Sequence, residues 1–299
     1  MPTNEQRRQT AKRKLERQLE RREQQARRRR LLAIIGSAVA AVVVIGAVVA
    51  TVMITRGDSG NGVASASPTT SAGDAPAADG GPATAPPANG QLPPFTATAN
   101  TGANCQYPAA GAASKKADPP RTGKVPTDPA QVSVSMSTSQ GNIGLQLDNA
   151  KSPCTVNSFA NLAQQGYFND TVCHRLTTSP SLAVLQCGDP TGSGSGGPGY
   201  EFANEYPTDQ YPAGDPGAQQ PVVYPRGTVA MANAGPGTNG SQFFLVYKDS
   251  QLPPQYTVFG KIDDTGLATL DRIANSGVKG GGEDGAPTDE VKITSLMLD

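Results

Sequence analysis

Four cysteines and one histidine are the side chains of this 299-residue chain best suited to metal binding, redox chemistry or nucleophilic catalysis. The cysteines are Cys105, Cys154, Cys173 and Cys187, and the histidine is His174. A structural zinc site usually takes its ligands from closely spaced Cys or His pairs, and the chain has no Cys-x-x-Cys pair. If the segment that carries the cysteines is exported, their even number favours disulfides instead, and the sequence leaves all three pairings open.

Two glycine-rich stretches have the GxGxxG spacing of a dinucleotide-binding loop. They are Gly194, Gly196, Gly199 and Gly280, Gly282, Gly285. Such a loop needs a helix that begins at the motif, because the helix N-terminus binds the pyrophosphate. A helix is not expected at either position, because the first motif runs into Pro198-Gly-Tyr-Glu201 and the second is followed by Ala286-Pro-Thr-Asp289. We therefore expect both motifs to be surface loops. A hydrolase triad is also weakly supported, since the chain has no GxSxG motif and His174 would be its only candidate base.

The N-terminal residues predict a membrane anchor. Residues 1–30 carry twelve Lys and Arg against four Glu, a net charge of 12 − 4 = +8, and residues 31–55 contain no charged side chain. At about 1.5 Å per residue, this apolar stretch can span a hydrocarbon core of about 30 Å. A cleaved signal peptide is the alternative, but its apolar core is usually about 7–15 residues long. The positive-inside rule then leaves the basic arm in the cytoplasm and exports everything after Arg56.

This arrangement predicts the location and some of the partners. We expect a single-pass protein of the cell membrane, with residues 31–55 in the lipid bilayer. A nucleic-acid role for the basic arm is the alternative. Because a charge run beside a membrane span is usually a topology signal, we expect no nucleic-acid partner.

The segment after the span has the composition of a flexible tether. Residues 57–94 consist almost wholly of Ala, Gly, Pro, Ser and Thr, which cannot bury enough apolar surface to offset the entropy of ordering. Residues 95–126 contain Cys105 and Tyr107, which suggest a strap that lies on a domain. We therefore read residues 56–126 as a linker followed by a strap, and a disulfide from Cys105 to the domain would fix that strap in place.

The C-terminal part has the patterns of a globular domain. Alternating apolar residues over 131–148 predict a β-hairpin. Ser152 and Pro153 predict the start of a helix that ends at Gly166, and a second helix is predicted at 265–275. Further short strands are predicted at 171–176, 183–187, 227–232, 242–246, 257–262 and 291–298. Many short strands with two helices at their edges indicate a closed antiparallel β-barrel capped by helices.

Three stretches of this part resemble the cyclophilin family. The first is Cys173-His-Arg-Leu176 with Leu185-Gln-Cys-Gly-Asp-Pro190, which is similar to the family's FHR and QGGDP strands, and the second is the glycine loop from Gly192 to Glu201. The third, GTVAMANAGPGTNGSQFF from Gly227 to Phe244, is close to the family's most distinctive run. The resemblance covers residues 127–299 and none of the first 126 residues. It implies that the mainly β domain is a closed eight-stranded barrel capped by two α-helices.

The resemblance also implies a peptidyl-prolyl cis-trans isomerase that acts on proline-containing polypeptides without a cofactor. Arg175 falls at the position of the family's catalytic arginine, whose guanidinium stabilises the twisted amide. Gln186 and Asn233 fall at positions that contact the substrate backbone, and Ala232 lies beside them on the same rim. His174 falls at the family's histidine position, where we expect a buried structural role.

An apolar slot for the proline ring is implied as well, with one departure from the family pattern. Phe244 and Leu252 fall at its floor and wall. The segment between Arg175 and Gln186 is three residues longer than usual and lacks the aromatic residue that normally lines the slot. We expect Leu182, Ala183 or Val184 to fill that space.

Other departures concern inhibitors and access. The family's frequent tryptophan falls on Gln251, and its active-site histidine falls on Tyr256, which we include in the substrate site. Because that tryptophan donates a hydrogen bond to cyclosporin in sensitive members, we expect weak or no cyclosporin binding. Residues 206–224 form an inserted Pro-rich loop that we expect to shape substrate access, whereas Met231 and Phe243 are expected in the core.

The sequence as a whole predicts an extracytoplasmic isomerase, tethered to the membrane, that assists the folding of exported proteins. The alternative is a catalytically weak module on the same fold that binds Pro-containing peptides or acts as a chaperone. The altered segment between Arg175 and Gln186 and the missing aromatic groups favour that alternative. A peptide-isomerisation assay separates the two.

Overall fold

The computed structural model describes residues 90–299. The predicted basic arm at 1–30, the predicted span at 31–55 and most of the predicted tether lie outside the described residues. Within residues 90–299, none of the helices combines the length and the apolar composition that a bilayer crossing requires.

Twelve strands and two α-helices make up the secondary structure of the described chain. The strands are β1 (Val132–Thr138), β2 (Gly141–Leu147), β3 (Thr171–Val172), β4 (Arg175–Thr177), β5 (Val184–Cys187), β6 (Val222–Tyr224), β7 (Thr228–Met231), β8 (Phe243–Val246), β9 (Ser250–Leu252), β10 (Val258–Ile262), β11 (Asp284–Gly285) and β12 (Lys292–Leu298). The helices are α1 (Pro153–Gln164) and α2 (Asp264–Ser276), and two short 3₁₀ turns lie at Thr208–Gln210 and Pro216–Gln219. The predicted hairpin, both helices and the mainly β class are confirmed.

Ten of the strands form one curled sheet in the order β11-β4-β5-β8-β7-β10-β2-β1-β12-β3, and β6 pairs with β9 separately. The predicted ring of eight strands is not what the hydrogen-bond ladder shows, because this order is linear. β3 and β4 nevertheless belong to one segment, residues 171–177, which pairs with β12 through its first half and with β5 through its second. Cys173 and His174 lie between the two ladders and interrupt them. The sheet therefore curls so that β3, at one end, and β4, next to β11 at the other end, belong to one segment, without a continuous ladder between them.

The main core lies inside this curl, and the two helices close over it. Helix α1 buries Val156, Phe159 and Leu162, and helix α2 buries Leu270 and Ile273. Burial of such side chains is worth roughly 1.5–3 kcal/mol each, so each helix is held by its apolar face more than by its own propensity.

Close approach of helix α2 to the sheet explains one glycine. A Cβ atom at Gly266 would lie 2.7 Å from Ile262 Cγ2 and 2.8 Å from Ile143 Cγ2. The helix begins at Asp264, one residue before the predicted start, because the side chain of Asp263 accepts a hydrogen bond from Gly266 N and caps it. Gly277 ends the helix with a positive φ of 77°, as predicted.

The N-terminus of helix α1 differs from its prediction. Pro153 is the first helical residue as expected, but the Ser152 hydroxyl donates to Val258 O at 2.8 Å and does not cap the helix. The cap comes from Glu205, far along the chain. Its carboxylate accepts hydrogen bonds from Cys154 N at 2.9 Å and from Thr155 N and Oγ1, both at 2.7 Å.

The strap is fixed to the domain by a disulfide and by hydrogen bonds. The Cys105–Cys154 disulfide joins it to the start of helix α1. Lys115 Nζ donates to the carbonyl oxygens of residues 166, 167 and 169, just beyond the end of that helix, at 2.8–3.0 Å. The strap also reaches further toward the N-terminus than predicted, because Gln91 forms a parallel bridge with Val223.

Both disulfides lie in the described domain, and together they use all four cysteines. The second one joins Cys173 to Cys187. The expectation of disulfides is confirmed, and the structure selects one of the three pairings that the sequence left open.

The buried cap at Glu205 leads to a prediction about stability and pH. Burial raises its pKa from 4.5 to about 7, against the opposing effect of the hydrogen bonds from Cys154 and Thr155. Because the pKa is higher in the folded than in the unfolded protein, the protonated carboxyl favours folding. Its contribution is complete below about pH 4.5 and is lost as the pH rises through about 7.

We expect the free energy of unfolding of the parent, relative to Glu205→Gln, to fall by about 3 kcal/mol between pH 4.5 and pH 8. Urea unfolding of both proteins across this range measures the difference. Glu283→Gln is the control, since Glu283 is exposed. A difference that stays constant with pH would mean that Glu205 titrates alike in the folded and unfolded chains.

Candidate active site

The antiparallel register of four neighbouring strands places the central residues of the site in one row. Arg175 in β4 lies opposite Gln186 in β5, Gln186 lies opposite Phe244 in β8, and Phe244 lies opposite Ala230 in β7. The adjacent row consists of Leu176, Leu185, Leu245 and Val229, all fully buried in the main core. Alternation along each strand therefore directs one row into the core and the other row to the outer face.

A second apolar cluster lies on that outer face. Its buried members are Val184, Val222, Tyr224, Ala230, Phe244 and Val246, and its partly buried edge includes Leu92, Leu182, Ala232, Leu252, Tyr256 and Val258. The cluster thus brings together six of the residues predicted for the substrate site. Ala183, the remaining candidate for the missing aromatic position, lies in the main core instead.

Aromatic contacts shape the floor of this slot. The rings of Phe244 and Tyr256 meet edge to face, with centroids 5.8 Å apart and planes at 77°. Tyr224 packs against Phe244 from the other side at 6.4 Å, and its hydroxyl donates to Tyr256 O at 3.0 Å. Two aromatic neighbours hold the Phe244 ring at the base of the slot.

The inserted loop contributes a wall of this slot. Its last residues form β6, which pairs with β9 so that Val222 lies opposite Leu252. Sequence reasoning located the insertion but missed Val222 and Tyr224 as site residues. The only signal was the short apolar run Val222-Val-Tyr224, which is typical of a buried strand.

Arg175 is held beside the slot by an acid that the sequence did not single out. Its Nε and Nη2 donate to Asp284 Oδ1 and Oδ2, both at 2.7 Å, and its Nη1 donates to Gln186 Oε1 at 3.3 Å. The hydrogen bonds with Asp284 raise the pKa of Arg175, and the same partner lowers the pKa of Asp284. Two edges of the guanidinium are thus fixed, and the arginine side chain keeps 37% of its surface exposed.

The polar rim is also hydrogen-bonded in advance. Gln186 Nε2 donates to Gln242 Oε1 at 2.9 Å, and Asn233 Nδ2 donates to Gln255 O at 2.9 Å. The Asn233 side chain therefore braces its own loop. Its backbone N–H and C=O make no hydrogen bond within residues 90–299, so they remain available to a bound peptide.

His174, Met231 and Phe243 lie where the sequence suggested. Met231 and Phe243 are buried in the main core. Both ring nitrogens of His174 are buried without a hydrogen-bond partner among the described residues, and burial lowers its pKa. A neutral imidazole of this kind fills space.

A cavity of about 490 Å³ adjoins the rim. Gln186, Ala232 and Asn233 line it together with the glycine loop from Gly194 to Gly199. The site therefore has two compartments, an apolar slot over Phe244 and a mainly polar cavity beside it.

Comparisons with known proteins give matches in sequence and in structure. Residues 133–298 match the family described as "Cyclophilin type peptidyl-prolyl cis-trans isomerase/CLD". The chain is 71% identical over 217 residues to the "Probable peptidyl-prolyl cis-trans isomerase B" of Mycobacterium tuberculosis strain H37Rv, covering 72% of this chain and 69% of that protein. It is 69% identical over 209 residues to the protein of the same name from Mycobacterium leprae, covering 70% and 71%.

A solved structure is similar over a shorter length. The cyclophilin type peptidyl-prolyl cis-trans isomerase of Cryptosporidium parvum is 30% identical, and the match covers 56% of this chain and 98% of that one with a TM-score of 0.46.

Proposed function

The chain belongs to the cyclophilin-type peptidyl-prolyl cis-trans isomerase family and is an enzyme of that class, and we propose that it isomerises X-Pro bonds of exported polypeptides by Arg175-stabilised twisting of the amide. The observation that carries this proposal is the row in which Arg175 and Gln186 stand beside Phe244 at the base of an apolar slot. The slot suits a proline ring, and the guanidinium lies at its polar edge.

The mechanism follows from the chemistry of the peptide bond. Rotation about the C–N bond costs about 18–20 kcal/mol, because amide resonance is lost in the twisted state. The prolyl nitrogen then gains a lone pair that can accept a hydrogen bond. Nη1 of Arg175 does not contact Asp284 and supplies a charged donor. Arg175 begins the cross-strand row that continues through Gln186 to Phe244. Only the twisted state accepts this hydrogen bond, so it lowers the barrier without stabilising the substrate equally.

Asp284 acts in this scheme as a positioning residue. Its two hydrogen bonds hold the guanidinium plane before substrate arrives, which spares part of the side-chain entropy of about 2 kcal/mol that a free arginine would lose. The Asp284 side chain is 55% exposed, so water screens its charge. The orienting effect therefore outweighs the partial neutralisation of Arg175.

The disulfides support an extracytoplasmic location. All four cysteines are paired, and such bonds persist in oxidising compartments and are rare in the cytosol. Together with the predicted span at 31–55 and its basic arm, this favours a domain tethered to the outer face of the cell membrane. Newly exported chains fold there, and slow X-Pro exchange limits that folding.

Replacement of Arg175 tests the mechanism. We expect Arg175→Ala to lower kcat/KM on a short Ala-Pro peptide by about 10²–10³-fold, because the twisted amide loses its charged donor. Arg226→Ala is the matched control, since Arg226 has the same exposed fraction of 37% and a similar pair with Asp271 outside the site. The measurement is protease-coupled peptide isomerisation.

An Arg175→Ala variant as fast as the parent would contradict the proposed role of the arginine. If the parent binds Pro-containing peptides without accelerating their exchange, the chain acts as the binding or chaperone module that is the alternative. The same assay therefore separates the mechanism from the alternative function.

Replacement of Asp284 tests the positioning role. We expect Asp284→Asn to lower kcat about three- to tenfold with little change in KM, because the arginine keeps its charge and loses its fixed orientation. Glu283→Gln, the neighbouring exposed acid, is the control and should match the parent. An increase in kcat would show instead that the carboxylate mainly neutralises the guanidinium.

Cyclosporin inhibition tests the position assigned to Gln251. Its side chain is exposed on β9 and replaces the tryptophan that donates to the drug in sensitive members, so we expect inhibition only at micromolar or higher concentrations. Inhibition of the parent is compared with that of Gln251→Trp, which should be inhibited more strongly. Nanomolar inhibition of the parent would disprove this assignment.

A further inference from the structure

The first residues of the strap extend the wall that the inserted loop gives to the apolar slot. Gln91 forms a parallel bridge with Val223 of β6, and Val223 N donates to Gly90 O at 2.6 Å. Val223 also pairs with Gln251 of β9, so β6 lies between the strap and β9. These strap residues lie before residue 133, where the family match begins. A segment outside the matched domain therefore borders the slot.

Leu92 is the residue of this segment that lies on the slot side. Neighbouring side chains of an extended chain point to opposite faces of a sheet. Gln91 is exposed and shares one face with its bridge partner Val223, so Leu92 falls on the other face together with Val222. The packing agrees with this alternation, because Leu92 contacts the apolar cluster that contains Val222 and Phe244.

Contacts on both sides of Leu92 hold it in this place. The bridge at Gln91 precedes it. After it, the Tyr206 hydroxyl donates to Pro93 O at 2.7 Å, and the Tyr206 ring meets the Phe95 ring edge to face with centroids 5.7 Å apart. Pro93 itself is buried. The backbone that carries Leu92 is thus fixed to the inserted loop before and after the residue.

Partly exposed leucines lie at the edge of the slot, above its buried base. Leu92, Leu182 and Leu252 are partly exposed and pack against the cluster, whereas Phe244 is only 4% exposed. A ring that enters over Phe244 removes more of this apolar surface from water, which is favourable in proportion to the area buried. The edge leucines are therefore positioned to contact a bound proline ring.

We propose that Leu92 is a specificity-determining residue of the slot, which contacts the proline ring of the bound substrate and limits the ring size that the slot accepts. The inference rests on the proposed isomerase function and assigns one of its slot residues to the strap. Because the backbone on both sides of Leu92 is fixed, the size of its side chain sets the room that is left for the ring.

Substitutions that shorten and enlarge the side chain of Leu92 test this role in opposite directions. The substrates are a short Ala-Pro peptide and the same peptide with pipecolic acid, whose ring is larger by a methylene, in place of proline. With the full chain, Leu92→Ala should lower kcat/KM for the Ala-Pro peptide about three- to tenfold, mainly by raising KM, because apolar contact with the ring is lost. It should raise the ratio of kcat/KM for the pipecolyl peptide to that for the Ala-Pro peptide by about threefold or more. Leu92→Phe should lower this ratio, and NMR exchange spectroscopy measures both rates.

Two further variants separate contact with the ring from a general effect on packing. Leu298→Ala is the matched control and should match the parent, because Leu298 is also a partly exposed leucine but packs against the main core. Tyr206→Phe keeps the ring contact with Phe95 and removes the hydrogen bond to Pro93, so it should shift the ratio as Leu92→Ala does, but less. Thermal unfolding identifies any variant that fails to fold, and the other Leu92 variant then decides.

Dissociation constants of both peptides, from NMR titration of the same samples, separate this inference from the function on which it rests. If the parent binds the peptides without accelerating their exchange, the proposed function fails, and the ratio of dissociation constants in the Leu92 variants decides the inference. If the parent is active and the folded Leu92 variants keep its ratio of kcat/KM, the function stands and the inference is overturned. A variant that is less stable and slower on both peptides by the same factor also overturns it, since a structural role alone gives that result.

Discussion

The register between β4, β5, β8 and β7 is the constraint on which the rest of the site depends. Cross-strand pairing puts Arg175, Gln186 and Phe244 side by side, and it simultaneously sends Leu176, Leu185 and Leu245 into the core. A slip of one residue in any of these strands would exchange the two faces, burying a charged or polar side chain and exposing a leucine. The hydrophobic effect that stabilises the fold therefore also fixes the positions of the residues proposed to act on the amide. The Cys173–Cys187 disulfide brackets the Arg175–Gln186 pair and adds a covalent constraint to the same register.

The sequence was informative wherever a pattern depends on near neighbours. Three correct predictions depend only on the backbone geometry of a few consecutive residues. They are the hairpin over 131–148, the start of helix α1 at Pro153 and the end of helix α2 at Gly277. The rim residues were predicted from the resemblance of the run between Gly227 and Phe244 to the cyclophilin family, and local patterns alone would not have assigned them. Closure of the barrel was not predictable in this way, since it depends on whether the ladder continues through Cys173 and His174.

Contacts that join distant segments were the ones that sequence reasoning missed. Asp284 meets Arg175 across 109 residues, and Glu205 caps helix α1 across 51 residues. Glu205 stands in a loop and Asp284 in the two-residue strand β11, and nothing in the local sequence of either distinguishes a paired carboxylate from a free one. Val222 and Tyr224 were missed for a related reason. Their place in the slot depends on pairing with β9, which the insertion reaches only after two 3₁₀ turns. The strap was recognised as a strap, but its contact with the slot depends on tertiary packing.

In the proposed mechanism an arginine bound to a carboxylate must still stabilise a lone pair, and the geometry of the pair is compatible with that role. Asp284 takes the edge formed by Nε and Nη2, which leaves Nη1 directed toward Gln186 and the slot. The Asp284 side chain is 55% exposed, so water screens its charge, and Nη1, which does not contact Asp284, donates to Gln186. In the proposed mechanism Nη1 is therefore the donor that acts on the amide. An unpaired arginine would carry the same charge but would sample many rotamers, and in most of them its donors would lie away from the prolyl nitrogen. In the proposed mechanism, fixing the guanidinium while Nη1 stays available supplies both the charge and the direction that stabilise the twisted amide.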